Sequence, residues 1–121
     1  MSKKRINRVS SLLRDQISKI VLTKIKDPRL GFVTITDVEI SGDLKEAKIF
    51  TSVLGNEYDK KISIEVLKHA VPFIKNQLNS MVELKFMPTL EFILDDSLEK
   101  SDRINRVLKD LNFKESNDKN K

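Results

Sequence analysis

The 121-residue chain has no cysteine. Disulfides and thiolate metal sites are therefore excluded, and a reducing compartment is the natural setting. Histidine occurs once, at His69, and no zinc-ligand spacing or Ser-His-Asp set can be assembled around it. With three prolines and three glycines, the chain has room for one modest core and not for two. No apolar run approaches the roughly 18 residues that a membrane span needs. The opening Met1-Ser2-Lys3-Lys4-Arg5 is basic but leads into an amphipathic pattern, not the apolar stretch of a signal peptide. The apolar content of 39% and charged content of 34% are those of a folded domain. The expectation is a soluble, cytoplasmic, single-domain protein.

What is present is charge, unevenly placed. The formal net charge is +5. Residues 1–30 carry nine basic groups (Lys3, Lys4, Arg5, Arg8, Arg14, Lys19, Lys24, Lys26, Arg29) against Asp15 and Asp27, a net of +7. The other 91 residues carry 14 basic and 16 acidic groups, a net of −2. Positive charge gathered at one end of an otherwise near-neutral chain is the usual mark of a polyanion partner, although a solvated helix face has the same composition.

The periodicity divides the chain into seven elements. Ile6, Val9, Leu12, Leu13, Ile17, Ile20, Val21 and Ile25 recur at spacings of three and four, which predicts one helix with Arg5, Arg8, Arg14 and Lys19 largely off its apolar stripe. Asp27-Pro28 stops it, because a residue before proline is pushed out of the helical region, and Gly31 supplies a flexible joint. Phe32 to Ser41 has strand composition. Its alternation changes phase between Val33/Ile35 and Val38/Ile40, so a β-bulge near Thr36-Asp37 would keep all four on the core face. A strand buried on both faces is the alternative. The Ser41-Gly42-Asp43 turn leads to a second strand through Ala47, Ile49, Thr51 and Val53, completing an antiparallel hairpin. Asp37 and Glu39 then face Lys45 and Lys48 as cross-strand partners. From Asp59 to Met81 the spacing is helical, with Ile62, Val66, Ala70, Phe73, Ile74, Leu78 and Met81 on the apolar side. Pro72 removes an amide and crowds the preceding turn, so this segment must kink or split at Ala70-Val71-Pro72. A third strand follows from Thr89 to Leu94. Ser97 can cap a last helix, Leu98 to Leu111, and residues 112–121 form a polar, flexible tail.

Catalytic material is thin. His69 is one residue from a buried helical position, where a packed or surface histidine is the ordinary occurrence. Glu91, Asp95 and Asp96 cluster around a strand end and offer a magnesium site of the kind a metal-dependent ribonuclease uses. Acidic pairs after a strand more often cap the next helix. No other metal, cofactor or small-molecule site can be assembled.

Nucleic-acid binding is better supported. The order helix, strand, strand, helix, helix, strand is that of the type II KH domain, an α+β fold with a three-stranded sheet packed on helices. Its RNA clamp, a Gly-x-x-Gly loop between the middle helices, is missing, since the glycines stand at 31, 42 and 55. Charge and surface shape must then supply the contacts. Several runs carry a more particular likeness: Arg5-Ile6-Asn7-Arg8-Val9, the stretch Asp27-Pro28-Arg29-Leu30-Gly31-Phe32-Val33-Thr34-Ile35-Thr36 continuing to Ser41, Leu44 to Ile49, and the blocks Pro88 to Phe92, Asp95-Asp96-Ser97 and Arg103-Ile104.

On these residues the sequence resembles the ribosome-binding factor A family over about residues 2–111. The resemblance implies a KH-like domain over residues 1–111 with an added C-terminal helix and an Ala-x-Gly kink in place of the Gly-x-x-Gly loop. Here the kink is Ala70-Val71-Pro72, with proline where the family has glycine, and Glu83-Leu84-Lys85 replaces a more basic segment. It further implies a monomeric, non-catalytic factor without cofactor. Such a factor binds the free or immature 30S subunit and 16S rRNA and supports 5′-end processing and cold adaptation. The residues expected on phosphate are Lys3, Lys4, Arg5, Arg8 and Arg14 on the first helix, and Lys24, Lys26 and Arg29 at its exit.

Overall fold

In the computed structural model, which describes residues 3–82 and 87–96, the apolar stripe of the amino end winds α1 (Lys3–Thr23). Leu13, Ile17, Ile20 and Val21 are its buried residues. Leu12, expected on the same stripe, is 40% exposed, because at about 100° per residue it falls to one side of the arc that Leu13, Ile17, Ile20 and Val21 span. The helix ends before Ile25, which packs against the core from the exit segment. That segment is not the loose joint expected at Gly31. The Gly31 amide donates to the buried Ser63 hydroxyl at 3.0 Å, which pins the exit of α1 to a later helix.

β1 (Phe32–Ile40) and β2 (Glu46–Leu54) form the antiparallel hairpin. Ile35 pairs with Thr51 and Asp37 with Phe50, so Thr36 is the extra residue of a bulge. Ile35 and Val38 are both buried as a result, with Val33 and Ile40 packed against the core. Thr36 also ties the sheet together: its Oγ1 lies 2.6 Å from Asp95 Oδ2. The register sets Glu39 opposite Lys48. At the turn, Leu44 adopts a left-handed φ of 61°, unusual for a branched apolar residue. Its amide donates to the Ser41 carbonyl at 2.9 Å.

Gly55, at φ 141°, leads into α2 (Glu57–His69). Asn56 caps that helix and Asp59 closes a capping box, each side chain accepting from the other residue's amide. The inner face of α2 differs from the expected one. Ile64, Val66 and Leu67 are buried with Ser63 and Lys60, whereas Ile62 is only half-buried. Beyond the joint, Phe73 and Met81 are exposed. Lys60 is drawn in with its Nζ 3.6 Å from Glu57 Oε1, and its presence among apolar neighbours hides the phase of the stripe from sequence inspection.

α3 (Val71–Met81) starts immediately after Ala70, which ends one helix and caps the next with φ −85° and ψ −2°. Pro72 falls in the first turn of α3, where a missing amide leaves no helical bond unmade. β3 (Thr89–Leu94) joins β2 in parallel, pairing Ala47 with Leu90 and Ile49 with Phe92. The sheet order is β1-β2-β3, and α1 lies against β1 while α2 contacts β2 and β3. Phe92, Ile49, Leu67, Ile74 and Leu78 are fully buried in the shared core. The element order is the α-β-β-α-α-β expected. The anticipated helix over Leu98–Leu111, the tail and Glu83-Leu84-Lys85 lie outside the described residues.

Candidate nucleic-acid interface

A helix with one buried stripe presents its remaining side chains outward. On α1 the outer side, away from Leu13, Ile17 and Ile20, carries exposed Lys4, Arg8 and Lys19, with exposed Arg5 beside them. Lys3 is the first residue of the helix. Lys19 shares this face by its helical spacing from Lys4 and Arg8, beyond the residues expected on phosphate from the sequence. Arg14 is placed differently. Its Nε is 3.5 Å from Asp15 Oδ1, and it shares a groove with Asp37 and Glu39 of β1. Those carboxylates oppose a phosphate there.

The exit of α1 adds Lys24, Lys26 and Arg29. Lys24 and Lys26 are exposed, and among the described residues neither forms an ion pair. Arg29 is held. Its Nη2 reaches Asp27 Oδ2 at 2.7 Å and its Nε reaches Oδ1 at 3.1 Å, while its backbone amide donates to Oδ1 at 2.9 Å. The Arg29 side chain and amide together lower the Asp27 carboxyl to about 2, and the same carboxylate raises the guanidinium above its usual value. This fork keeps the turn after Pro28 closed and spends two of the arginine's donors on the protein itself.

Beside the exit segment, a groove of about 680 Å³ opens against the α2–α3 joint. Val66 and Ala70 line it with His69 and Phe73, and Lys24 and Lys26 are at its side. His69 is exposed, with Nδ1 2.8 Å from the Glu65 carbonyl, and Phe73 is 40% exposed. The groove escaped sequence inspection because Phe73 falls on an apolar spacing and His69 stands alone; only the meeting of α1's exit with the joint makes them neighbours.

The carboxylates weighed as a metal site do not converge. Asp95 accepts from Thr36, Glu91 is exposed on β3, and no group of three potential ligands is present among the described residues. No described helix is long and apolar enough to cross a membrane.

Fold and surface together define a small α+β domain with a cationic helix laid across a mixed three-stranded sheet. The family model for ribosome-binding factor A matches residues 5–108, and the chain belongs to that family. A ribosome-binding factor A from Thermodesulfovibrio yellowstonii is 43% identical over 108 residues, covering 89% of this chain and 91% of the relative. The crystal structure of the Thermus thermophilus protein superposes with a TM-score of 0.67 at 20% identity, over 74% of this chain and 93% of that one. A Thermus thermophilus homology model fitted into a cryo-EM map of a 30S complex gives a TM-score of 0.61 at 21% identity, over 72% and 91%.

Proposed function

We propose that this protein is a non-catalytic maturation factor of the small ribosomal subunit. It binds free or immature 30S particles in the cytoplasm through 16S rRNA and supports 5′-end processing by holding or displacing rRNA segments, while the cleavage is performed by other enzymes. Membership of the ribosome-binding factor A family is the observation that carries this reading. The exposed cations of α1 supply its physical means: rRNA is a polyanion, and lysines and arginines that approach its phosphates release condensed counterions.

The contacts proposed are Lys3, Lys4, Arg5, Arg8 and Lys19 on α1 and Lys24 and Lys26 at its exit, with Arg29 and Arg14 contributing less because carboxylates already attend them. The domain proposed spans residues 1–111. Sedimentation of tagged protein with 30S, 70S and precursor particles tests the partner. Association with free and immature small subunits and little with 70S is expected. Equal association with 70S, or cleavage of precursor rRNA by the purified protein with magnesium, would contradict the proposal.

A further inference from the structure

Charge accounts for attraction to rRNA, but the groove at the α2–α3 joint has features that charge alone does not need. Phe73 leaves 40% of its surface in water while Ile74 and Leu78 of the same helix are fully buried. An aromatic ring at the wall of a depression, with two lysines beside it, is the material of a base-stacking site. His69 stands four residues earlier, and Ala70 between them has near-helical angles, so both rings reach the same groove. The Glu65 carbonyl beside His69 Nδ1 can only accept, so Nδ1 carries the proton. In the neutral ring Nε2, on the far edge, is then an acceptor. The carboxylate that lines the groove, Asp27, is occupied by Arg29, which leaves the charge of Lys24 and Lys26 to act outward.

We infer that this groove takes one unpaired nucleobase from a single-stranded RNA segment, stacked on Phe73 and meeting His69 Nε2 through a base N–H. Lys24 and Lys26 hold the neighbouring phosphates. The inference rests on the RNA-binding reading above and adds to it a base contact that electrostatic docking does not require.

The test titrates the full chain with a uridine heptamer carrying 2-aminopurine at its centre, and with the same heptamer made abasic there. Aminopurine fluorescence should quench on binding, and the abasic heptamer should bind more weakly. Phe73→Ala should abolish the quenching and weaken affinity roughly 5- to 150-fold, with Phe73→Tyr retaining both. An unchanged melting temperature establishes that each variant is folded. Equal, salt-dependent affinity for both heptamers, or quenching that survives Phe73→Ala, would overturn the base site and leave the electrostatic reading standing. No binding of either heptamer at low salt would overturn both. Loss of 30S binding by Phe73→Ala without any quenching by the wild type would assign the groove to a protein side chain instead.

Discussion

Arg29 shows how a side chain that looks available in sequence can be engaged once the chain turns. Pro28 closes the exit of α1 tightly enough for Asp27 to receive both the guanidinium and the amide of Arg29. The carboxyl of Asp27 is depressed to about 2, against about 3.9 when unfolded. The depressed value means that the ionised pair favours the folded state above the unfolded value, and that this contribution disappears as pH falls from about 4 through about 2. Asp27→Asn should remove that part of the acid dependence and free Arg29. Titration of the carboxyl by NMR near 4 would contradict the geometry. Gly55 is a sharper constraint. Its φ of 141° is strained for other residues, and an added Cβ would stand 2.5 Å from Asp59 Oδ2, the carboxylate that closes the capping box of α2. Gly55→Ala should cost about 1–3 kcal/mol, read as a lower midpoint in thermal or urea unfolding; an unchanged midpoint would contradict it.

Among the elements, those with a regular signal were legible in the sequence and those set by contact were not. The switch of parity within Phe32–Ile40 pointed to a bulge, and the bulge is at Thr36. The three-four spacing of α1 was equally readable, apart from the choice between Leu12 and Leu13. The inner face of α2 was not, since buried Lys60 and Ser63 interrupt the apolar pattern and the hydroxyl that holds Gly31 looks like an ordinary helical serine. Leu44 gives no sign in sequence of its left-handed backbone, because the neighbouring Gly42 is the expected place for one. At this scale the bulge makes a clear prediction. Deleting Thr36 would restore straight pairing and regular alternation, with Val33, Ile35, Val38 and Ile40 still on the core face, at the loss of the Thr36 bond to Asp95. The deleted chain should still unfold cooperatively by circular dichroism, with a modestly lower midpoint; loss of the cooperative transition would contradict this reading of the bulge.

Across the whole molecule the two kinds of information divide the work. The run from Asp27 to Leu44 most clearly marks the family, yet it mainly forms the turn, bulge and hairpin that set α1 against the sheet. The charges proposed to meet RNA lie chiefly before it, on a helix face that composition located only to the first 30 residues. Folding separates Lys4, Arg8 and Lys19 from Arg14, which turns toward Asp37 and Glu39, and it builds the Phe73 groove from three segments that no local pattern connects. The central claim is that the outer face of α1 docks this domain on the small subunit. Its most direct test is the affinity of the full chain for free 30S subunits across a salt series, for the wild type and for a variant combining Lys4→Glu, Arg8→Glu and Lys19→Glu. With four to six phosphates engaged, log affinity should fall against log salt with a slope of roughly −3 to −5, and the variant should bind more weakly with a flatter slope. A flat response of the wild type, or a folded variant that binds as the wild type does, would contradict the account.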